Sequence, residues 1–105
     1  MPILETIVCQ TMKGKEARFE RMVKARVELS KRQTGCLNSW HGISNSDQYL
    51  YLIQTAYQNL EQFHVIKKLI EDTLDVKDGG LESCLSGPPL LGLFEIDESA
   101  LELKK

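Results

Sequence analysis

Residues 48–57, in the middle of the chain, have the pattern of a β-strand whose two faces are both apolar. Alternation along a strand sends one set of side chains to one face: Tyr49, Tyr51, Ile53, Thr55 and Tyr57. The opposite face receives Leu50, Leu52, Gln54 and Ala56. A strand of this kind needs a cover on each side. Because 105 residues supply helices for only one side, we expect a second copy of the chain to cover the other.

The sequence on either side of this strand predicts a series of strands and helices separated by turn-forming residues. The order is strand, helix, strand, strand, helix, strand, with expected bounds 3–11, 14–33, 36–43, 48–57, 59–78 and 81–96. Gly87-Pro88-Pro89 interrupts the last segment, so that 81–86 and 90–96 form either one broken strand or two short ones. This βαββαβ order predicts one ferredoxin-like α+β domain, 1–105, with an antiparallel sheet and both helices on one face. Its core is 3–96, and 97–105 is a charged tail.

The first predicted helix carries a charged residue inside its apolar arc. On a helical wheel, the residues expected to face the sheet are Phe19, Met22, Val23, Val27 and Leu29. Arg26 and Ser30 fall in the middle of this arc. Arg26 is therefore expected either to extend its stem along the core and reach solvent, or to meet a buried anion or a ligand.

The second predicted helix begins with a capping signal. Asn59 is the expected N-cap, with Gln62 as its capping-box partner. The buried stripe should contain Leu60, Phe63, Ile66, Ile70 and Leu74. His64 lies about 40° beyond Leu60 on the wheel, where a side chain reaches either the edge of a cleft or water.

Charge and cysteine spacing exclude several classes of protein. The net charge is −2, and no basic run suggests a nucleic-acid partner. No stretch approaches the roughly 18 apolar residues of a membrane span, and the start has no basic, apolar leader, so we expect a cytoplasmic protein without a membrane partner. Cys9, Cys36 and Cys84 are too far apart for a disulfide framework or a zinc site. We expect all three to be small buried hydrophobic residues.

Several segments together resemble the antibiotic biosynthesis monooxygenase (ABM) family of dimeric α+β barrels. They are the first strand, the helix entry Lys13-Gly14-Lys15-Glu16, Thr34-Gly35-Cys36, the strand 49–57, and a late Gly-Pro before the final strand. The likeness covers about residues 3–96. It implies a homodimer with a pocket in each subunit between the sheet and the helices. Family members are cofactor-free oxygenases of aromatic quinols or anthrones, haem-binding or haem-degrading proteins, quorum-signal processing proteins, or proteins of unknown role.

The sequence departs from the family pattern at three places. The third strand ends in Tyr57 where the family commonly has tryptophan, and Ile66 stands where a histidine is common. His64, two positions earlier, lies on a different helix face. The first-strand asparagine of the haem degraders has no counterpart, because Cys9 and Gln10 occupy that region.

What the resemblance implies is a monooxygenase without metal, flavin or other cofactor, acting on a small aromatic, quinol- or anthrone-like molecule. Such a site needs an apolar pocket and polar groups that stabilise a phenolate. The candidate catalytic residues are His64, Arg26 and Tyr57, and the candidate substrate-binding residues are Tyr51, Thr55, Trp40 and His41. Arg26 would supply positive charge, the tyrosine and threonine hydroxyls hydrogen bonds, Trp40 a stacking surface, and His64 or His41 a base.

Two alternatives remain open. Aromatic residues on strands belong to the core more often than to a site, so the chain is alternatively a non-catalytic dimeric barrel that binds a small apolar ligand or serves as an interaction module. A weaker alternative is haem binding through His64 or His41.

Overall fold

The computed structural model describes residues 1–77 and 79–101. Its main elements are β1 (Ile3–Gln10), α1 (Glu16–Lys31), β2 (Cys36–Ile43), β3 (Leu50–Tyr57), α2 (Leu60–Ile70) and β4 (Leu90–Glu95). A π-helical turn, Glu71–Asp75, continues α2, and short 3₁₀ helices span Leu81–Cys84 and Glu98–Leu101. Within the described residues no helix combines the length and the apolar character needed to cross a membrane.

The four strands form one antiparallel sheet in the order β2-β3-β1-β4. β1 lies in the interior of the sheet, where Ile3 is opposite Tyr57 of β3 on one side and Glu95 of β4 on the other. This order, with a helix after β1 and another after β3, is the ferredoxin-like arrangement. The predicted fold class is therefore confirmed.

Both helices pack on the same face of the sheet, which we call the helix side. α1 buries Phe19, Val23 and Val27 against β3, and α2 buries its own apolar stripe near Ile3 and Tyr57. The members of that stripe are Phe63, Ile66 and Ile70. Leu60, which the wheel also placed in the stripe, is instead half exposed at the first turn of the helix. Periodicity thus predicted the buried faces of both helices, apart from their ends.

The start of α2 has the predicted N-cap at Asn59, while the capping-box role of the Gln62 side chain stays a prediction. Asn59 accepts a hydrogen bond from the Gln62 backbone N–H at 2.9 Å. The Gln62 side chain lies against Gly35, where an added Cβ would clash with it. Gly35 also has a positive φ of 98°, so this position favours glycine for two separate reasons. The contact joins the loop before β2 to the beginning of α2.

The opposite face of the sheet, which we call the open face, carries no charged strand residue. Alternation places the following side chains there: Leu4, Thr6, Val8, Gln10, Asn38, Trp40, Leu50, Leu52, Gln54, Ala56, Leu90 and Phe94. Leu4, Val8, Trp40 and Leu52 are only half-buried. A sheet face exposed to water is ordinarily rich in polar and charged side chains, so an uncharged one has the character of an interface.

The prediction for residues 81–86 was wrong. They form a 3₁₀ turn followed by a single bridge between Thr11 and Leu85, so β4 is the only strand found after residue 80 in the described part of the chain. Gly80 enters the turn with φ 67° and ψ −168°, and the Ser83 hydroxyl donates to its carbonyl oxygen at 2.7 Å. These local bonds compete with extended structure, and the apolar pattern alone did not predict them. Of the tail, 102–105 lies outside the described residues.

Candidate active site

A cavity of about 310 Å³ lies on the helix side, beneath the end of the sheet that β1 and β4 form. Its residues come from both strands, both helices, the π-helical turn and the segment before β4: Ile7, Cys9, Arg26, Lys67, Glu71, Asp75, Gly79, Gly80, Leu81, Glu82, Leu85, Pro89 and Leu91. The strand residues are apolar or weakly polar, whereas the helices contribute charges. The volume and this mixture are typical of a site for a small organic molecule.

Arg26 lines this cavity and forms an ion pair in its wall. Its Nη1 lies 2.9 Å from Asp75 Oδ1, and its side chain is 14% exposed. Of the two outcomes expected for Arg26, the structure therefore shows the contact with an anion, here the partly buried carboxylate of Asp75. Both residues also line a second cavity of about 130 Å³ between α1 and the π-helical turn. The ion pair thus forms the wall between two spaces.

The π-helical turn and Gly80 set the position of Asp75. A π-helical turn is wider than an α-helical one, and such turns are frequent at functional sites. Gly80 packs so closely on this turn that an added Cβ would lie 3.3 Å from the Cβ of Asp75. The backbone after α2 therefore holds the carboxylate where Arg26 of α1 can reach it.

A second polar chain connects the cavity to the interior. Lys67 Nζ donates to Glu5 Oε2 at 3.2 Å, and the Tyr57 hydroxyl donates to Glu5 Oε1 at 3.0 Å. Glu5 and Tyr57 are both buried, while the Lys67 side chain is 33% exposed. Burial, and next the Glu5 charge, raise the pKa of Tyr57 well above its usual value, so its hydroxyl keeps the proton. Tyr57 does not itself line the cavity.

Cys9 contributes a thiol to the floor of the cavity. It is buried, as expected, and burial raises its pKa to about 11. At neutral pH the group is therefore a protonated thiol, which is a poor nucleophile. Cys84 is also buried and Cys36 is partly exposed.

The remaining predicted site residues lie away from the cavity lining. On β2 and β3, Thr55 Oγ1 is 2.8 Å from Ser39 Oγ, and His41 Nε2 is 3.4 Å from Glu20 Oε1. Tyr51 packs on Phe19 with ring centroids 4.8 Å apart. Burial, and next a hydrogen bond with Glu20, raise the pKa of Tyr51 to about 12. These side chains form a packed group beneath α1.

Trp40 and His64 lie in two further places. Trp40 is on the open face, where its Nε1 donates to Gln54 Oε1 at 2.9 Å. His64 is exposed on α2, with its ring 5.1 Å from that of Phe63. The structure therefore brings Arg26 to the cavity and links Tyr57 to it through Glu5 and Lys67. It does not bring the other five predicted residues there.

Three charged residues that form the ion pairs of this site, Glu5, Lys67 and Asp75, were not singled out from the sequence. Glu5 sits at an inward position of β1, between Ile3 and Ile7, and Lys67 follows Phe63 by one helical turn. The sequence could have indicated Glu5 and Lys67, because each is a charged residue at a position where the strand or helix periodicity predicts a buried side chain. Among residues 1–77 and 79–101, no cluster of His, Cys, Asp and Glu side chains is arranged to hold a metal ion.

No protein-family model matches the sequence, and no curated protein matches it by sequence. Solved structures share its fold. A candidate antibiotic biosynthesis monooxygenase from Nitrosomonas europaea has a TM-score of 0.78 at 14% identity, over 89% of this chain and 88% of that one. SnoaB from Streptomyces nogalater, a cofactor-independent oxygenase solved as a variant, has a TM-score of 0.75 at 15% identity, over 96% and 98%.

A third similar structure, a conserved protein from Methanosarcina mazei, has a TM-score of 0.80 at 11% identity, over 92% of this chain and 94% of that one. Each of these matches covers about nine-tenths or more of both chains, so the fold is shared over the whole domain. The chain therefore has the fold of solved antibiotic biosynthesis monooxygenases, and the likeness inferred from its sequence is confirmed at the level of the fold.

Proposed function

We propose that the protein is a cofactor-independent monooxygenase that oxidises a small aromatic, quinol- or anthrone-like molecule in the cavity between the sheet and the helices. The observation that carries this proposal is the cavity of about 310 Å³ with an apolar floor and charged side chains of both signs, Arg26 and Lys67 among them, in its walls. The fold shared with SnoaB, a cofactor-independent oxygenase, supports it. An electron-rich ring would lie on Ile7 and Leu91, with its oxygen substituents toward the charged wall.

The chemistry requires the substrate to become an anion. An ionised phenol or anthrone passes one electron to O₂, and the two radicals combine into a peroxide at the ring carbon. Loss of water then leaves a carbonyl, so that one oxygen atom enters the product and the other leaves as water. The task of the protein is to bind the anion in an apolar space and to stabilise its charge, for which Arg26 is a candidate. The predicted roles of Trp40, His41, Tyr51, Thr55 and His64 remain predictions.

We also propose a cytoplasmic homodimer in which two open faces pack together. The support is the uncharged face itself, on which Leu4, Val8, Trp40 and Leu52 are only half-buried. An isologous contact buries the same patch twice, and this suits a surface that lacks charges of either sign. Leu52→Lys should convert the dimer to a monomer in sedimentation velocity. A monomeric wild-type protein at micromolar concentration would contradict the proposal.

Oxygen uptake with a panel of quinols and anthrones tests the activity, with rates corrected for autoxidation in the absence of protein. Leu91→Trp narrows the cavity and should abolish protein-dependent uptake. Leu93→Trp is its matched control, because Leu93 is on the same face of β4 but outside the lining. Arg26→Ala and Tyr57→Phe should lower the rate. If Leu91→Trp and Leu93→Trp behave alike, the cavity is not the site.

A second candidate function is ligand binding without turnover. It is favoured because each cation of the cavity already has a carboxylate partner and neither histidine lines the cavity. This alternative would be established if the wild-type protein binds quinols without oxygen uptake and if Leu91→Trp prevents the binding. Haem binding stays the weaker prediction, and a Soret band that His64→Ala or His41→Ala removes would test it.

A further inference from the structure

We propose that Lys67 is the group that binds an ionised oxygen of the aromatic ligand, and that Glu5 and Tyr57 are positioning residues that hold its ammonium at the cavity. The ligand class is an aromatic ring that bears a phenolate, enolate or carboxylate. The link to oxidation rests on the proposed function, whereas the preference for an anion concerns binding alone.

The two cationic side chains that line the cavity differ in where their carboxylate partners lie. Arg26 is 14% exposed, and its partner Asp75 also lines the cavity, so the ligand would meet this pair as a whole with no net charge. Lys67 is 33% exposed, and its partner Glu5 lies behind it with 11% exposure and does not line the cavity. The ligand therefore meets the ammonium and not the carboxylate.

Both oxygens of Glu5 have a donor. Oε2 accepts from Lys67 and Oε1 accepts from Tyr57, whose raised pKa keeps it a donor. An ammonium group has three N–H bonds, and the bond to Glu5 uses one of them. The Lys67 Nζ also lies 5.5 Å from the centre of the Phe63 ring, a cation–π distance that restricts its motion. The group is thus held in place with donors left for a ligand.

A purely structural role does not account for this arrangement well. A buried ion pair is commonly no more stabilising than apolar side chains of the same volume. Here the chain of polar groups starts in the core and ends at the cavity, where only its cationic member is exposed. Glu71 and Glu82 also line the cavity, but both are exposed to solvent, where salt screens their repulsion of an anion.

The experiment compares 2-naphthoate, an aromatic carboxylate, with 2-naphthamide, its neutral counterpart. Titration of ¹⁵N-labelled protein at pH 7 would be followed at the amide signals of Ile7 and Leu91, which lie on the cavity floor. Wild-type protein should bind naphthoate about tenfold more tightly, the ratio that one charge-assisted hydrogen bond supplies. Lys67→Met should remove this preference by weakening naphthoate binding far more than naphthamide binding, while Lys67→Arg should keep it.

Lys68→Met is the matched control, because Lys68 is the next residue of the same helix, 77% exposed and outside the cavity lining. It should leave both affinities unchanged. Tyr57→Phe should reduce the preference only partly, as expected of a positioning residue. Equal binding of the two probes to wild-type protein, an unchanged preference in Lys67→Met, or the absence of shifts at Ile7 and Leu91 with either probe would overturn the proposal.

This outcome is independent of the oxygenase proposal. Charge-selective binding without oxygen uptake from any quinol would remove the oxygenase and leave the role of Lys67. Oxygen uptake with unchanged kcat and KM in Lys67→Met would remove the role of Lys67 and leave the oxygenase.

Discussion

The two halves of the helix side differ in the segments that cover them and in how the space under those segments is filled. Over β2 and β3, Phe19 packs against Tyr51, and Ser39 and Thr55 pair with each other. Over β1 and β4, the cover consists of the π-helical turn and the segment before β4, and a cavity remains. None of the residues that line the two cavities described belongs to β2 or β3. We refer to these regions as the closed half and the hollow half.

The difference follows from the number of large side chains that each covering segment places over the strands. A helix of sixteen residues such as α1 delivers large side chains at every turn, which fill the space above the strands. A π-helical turn and a glycine-rich segment place few large side chains there, so a cavity is left above β1 and β4. Polar groups in the closed half satisfy one another, as Ser39 and Thr55 do. In the hollow half the ion pairs adjoin the cavity, where a ligand can reach them.

Truncation of a large side chain should separate the two halves most clearly. Phe19→Ala should lower the free energy of unfolding by about 3–5 kcal/mol, because Phe19 is fully buried and its removal leaves a cavity. Leu91→Ala should lower it by less than about 0.5 kcal/mol, since Leu91 is 60% exposed. Urea denaturation of both variants measures these values. Similar losses would mean that the hollow half is also packed.

Alkaline pH should act on the closed half through Tyr51. Its pKa is about 12 in the folded chain, raised first by burial and then by Glu20, against about 10 in the unfolded chain. The unfolded state therefore loses this proton first, and the stability that Tyr51 contributes is lost as pH rises from about 10 to 12. The loss should reach up to about 3 kcal/mol. The buried Tyr57 and Cys9 add losses of the same sign.

Tyr51→Phe is the control for this effect. It should make the decline of the free energy of unfolding between pH 10 and 12 less steep, because the contributions of Tyr57 and Cys9 then remain, as measured by urea denaturation at each pH. A decline as steep as in the wild type would show that Tyr51 is not the group responsible.

A methyl group added at Gly80 should test the rigidity of the hollow half. Its φ of 67° with ψ of −168° is accessible almost only to glycine, so Gly80→Ala should cost about 1–3 kcal/mol. The new Cβ would also press on Asp75 and disturb its pair with Arg26. Gly87→Ala, which meets nothing within 4 Å, should be neutral. Equal thermal stability of the two variants would contradict this assignment.

The smallest expected effect concerns the hydroxyl pair of the closed half. Ser39→Ala should cost about 1 kcal/mol because it removes the hydrogen bond between the two buried hydroxyls. Ser39→Ala combined with Thr55→Val should cost less than the sum of the two single changes. A double-mutant cycle in urea gives the coupling free energy, and additivity of the two losses would show that the hydroxyls act independently.

Much of the fold could be predicted from the sequence because it depends on periodic features. The alternation in 48–57 and the apolar arc that contains Phe19 and Val27 gave the sheet and the orientation of α1. The cap at Asn59 was predicted because it depends on residues three positions apart. The 3₁₀ turn at Leu81–Cys84 was not predicted, because apolar residues there suggest a strand, whereas Gly80 and Ser83 decide the local conformation.

The candidate site was predicted only in part. Arg26 was found because a charge in an apolar arc stands out in one helix, but its partner Asp75 is 49 residues away. Glu5 and Lys67 meet across 62 residues, and no local pattern pairs them. His41 and His64 were chosen for their chemistry alone. Only the tertiary structure shows that His41 lies beside Glu20 and that His64 is exposed to solvent.

The place of β1 in the interior of the sheet also has a consequence for how the chain folds. Its two neighbours, β3 and β4, are separated from it by long stretches, and the pairing of Ile3 with Glu95 spans nearly the whole chain. Contacts between such distant segments are slow to form, because a long loop must close before they contribute. During synthesis on the ribosome, β1 emerges first and lacks one neighbour until β4 is made. An incomplete chain that ends before residue 90 would leave a free β1 edge, which another chain could pair with, so premature termination should yield aggregates and not a smaller domain.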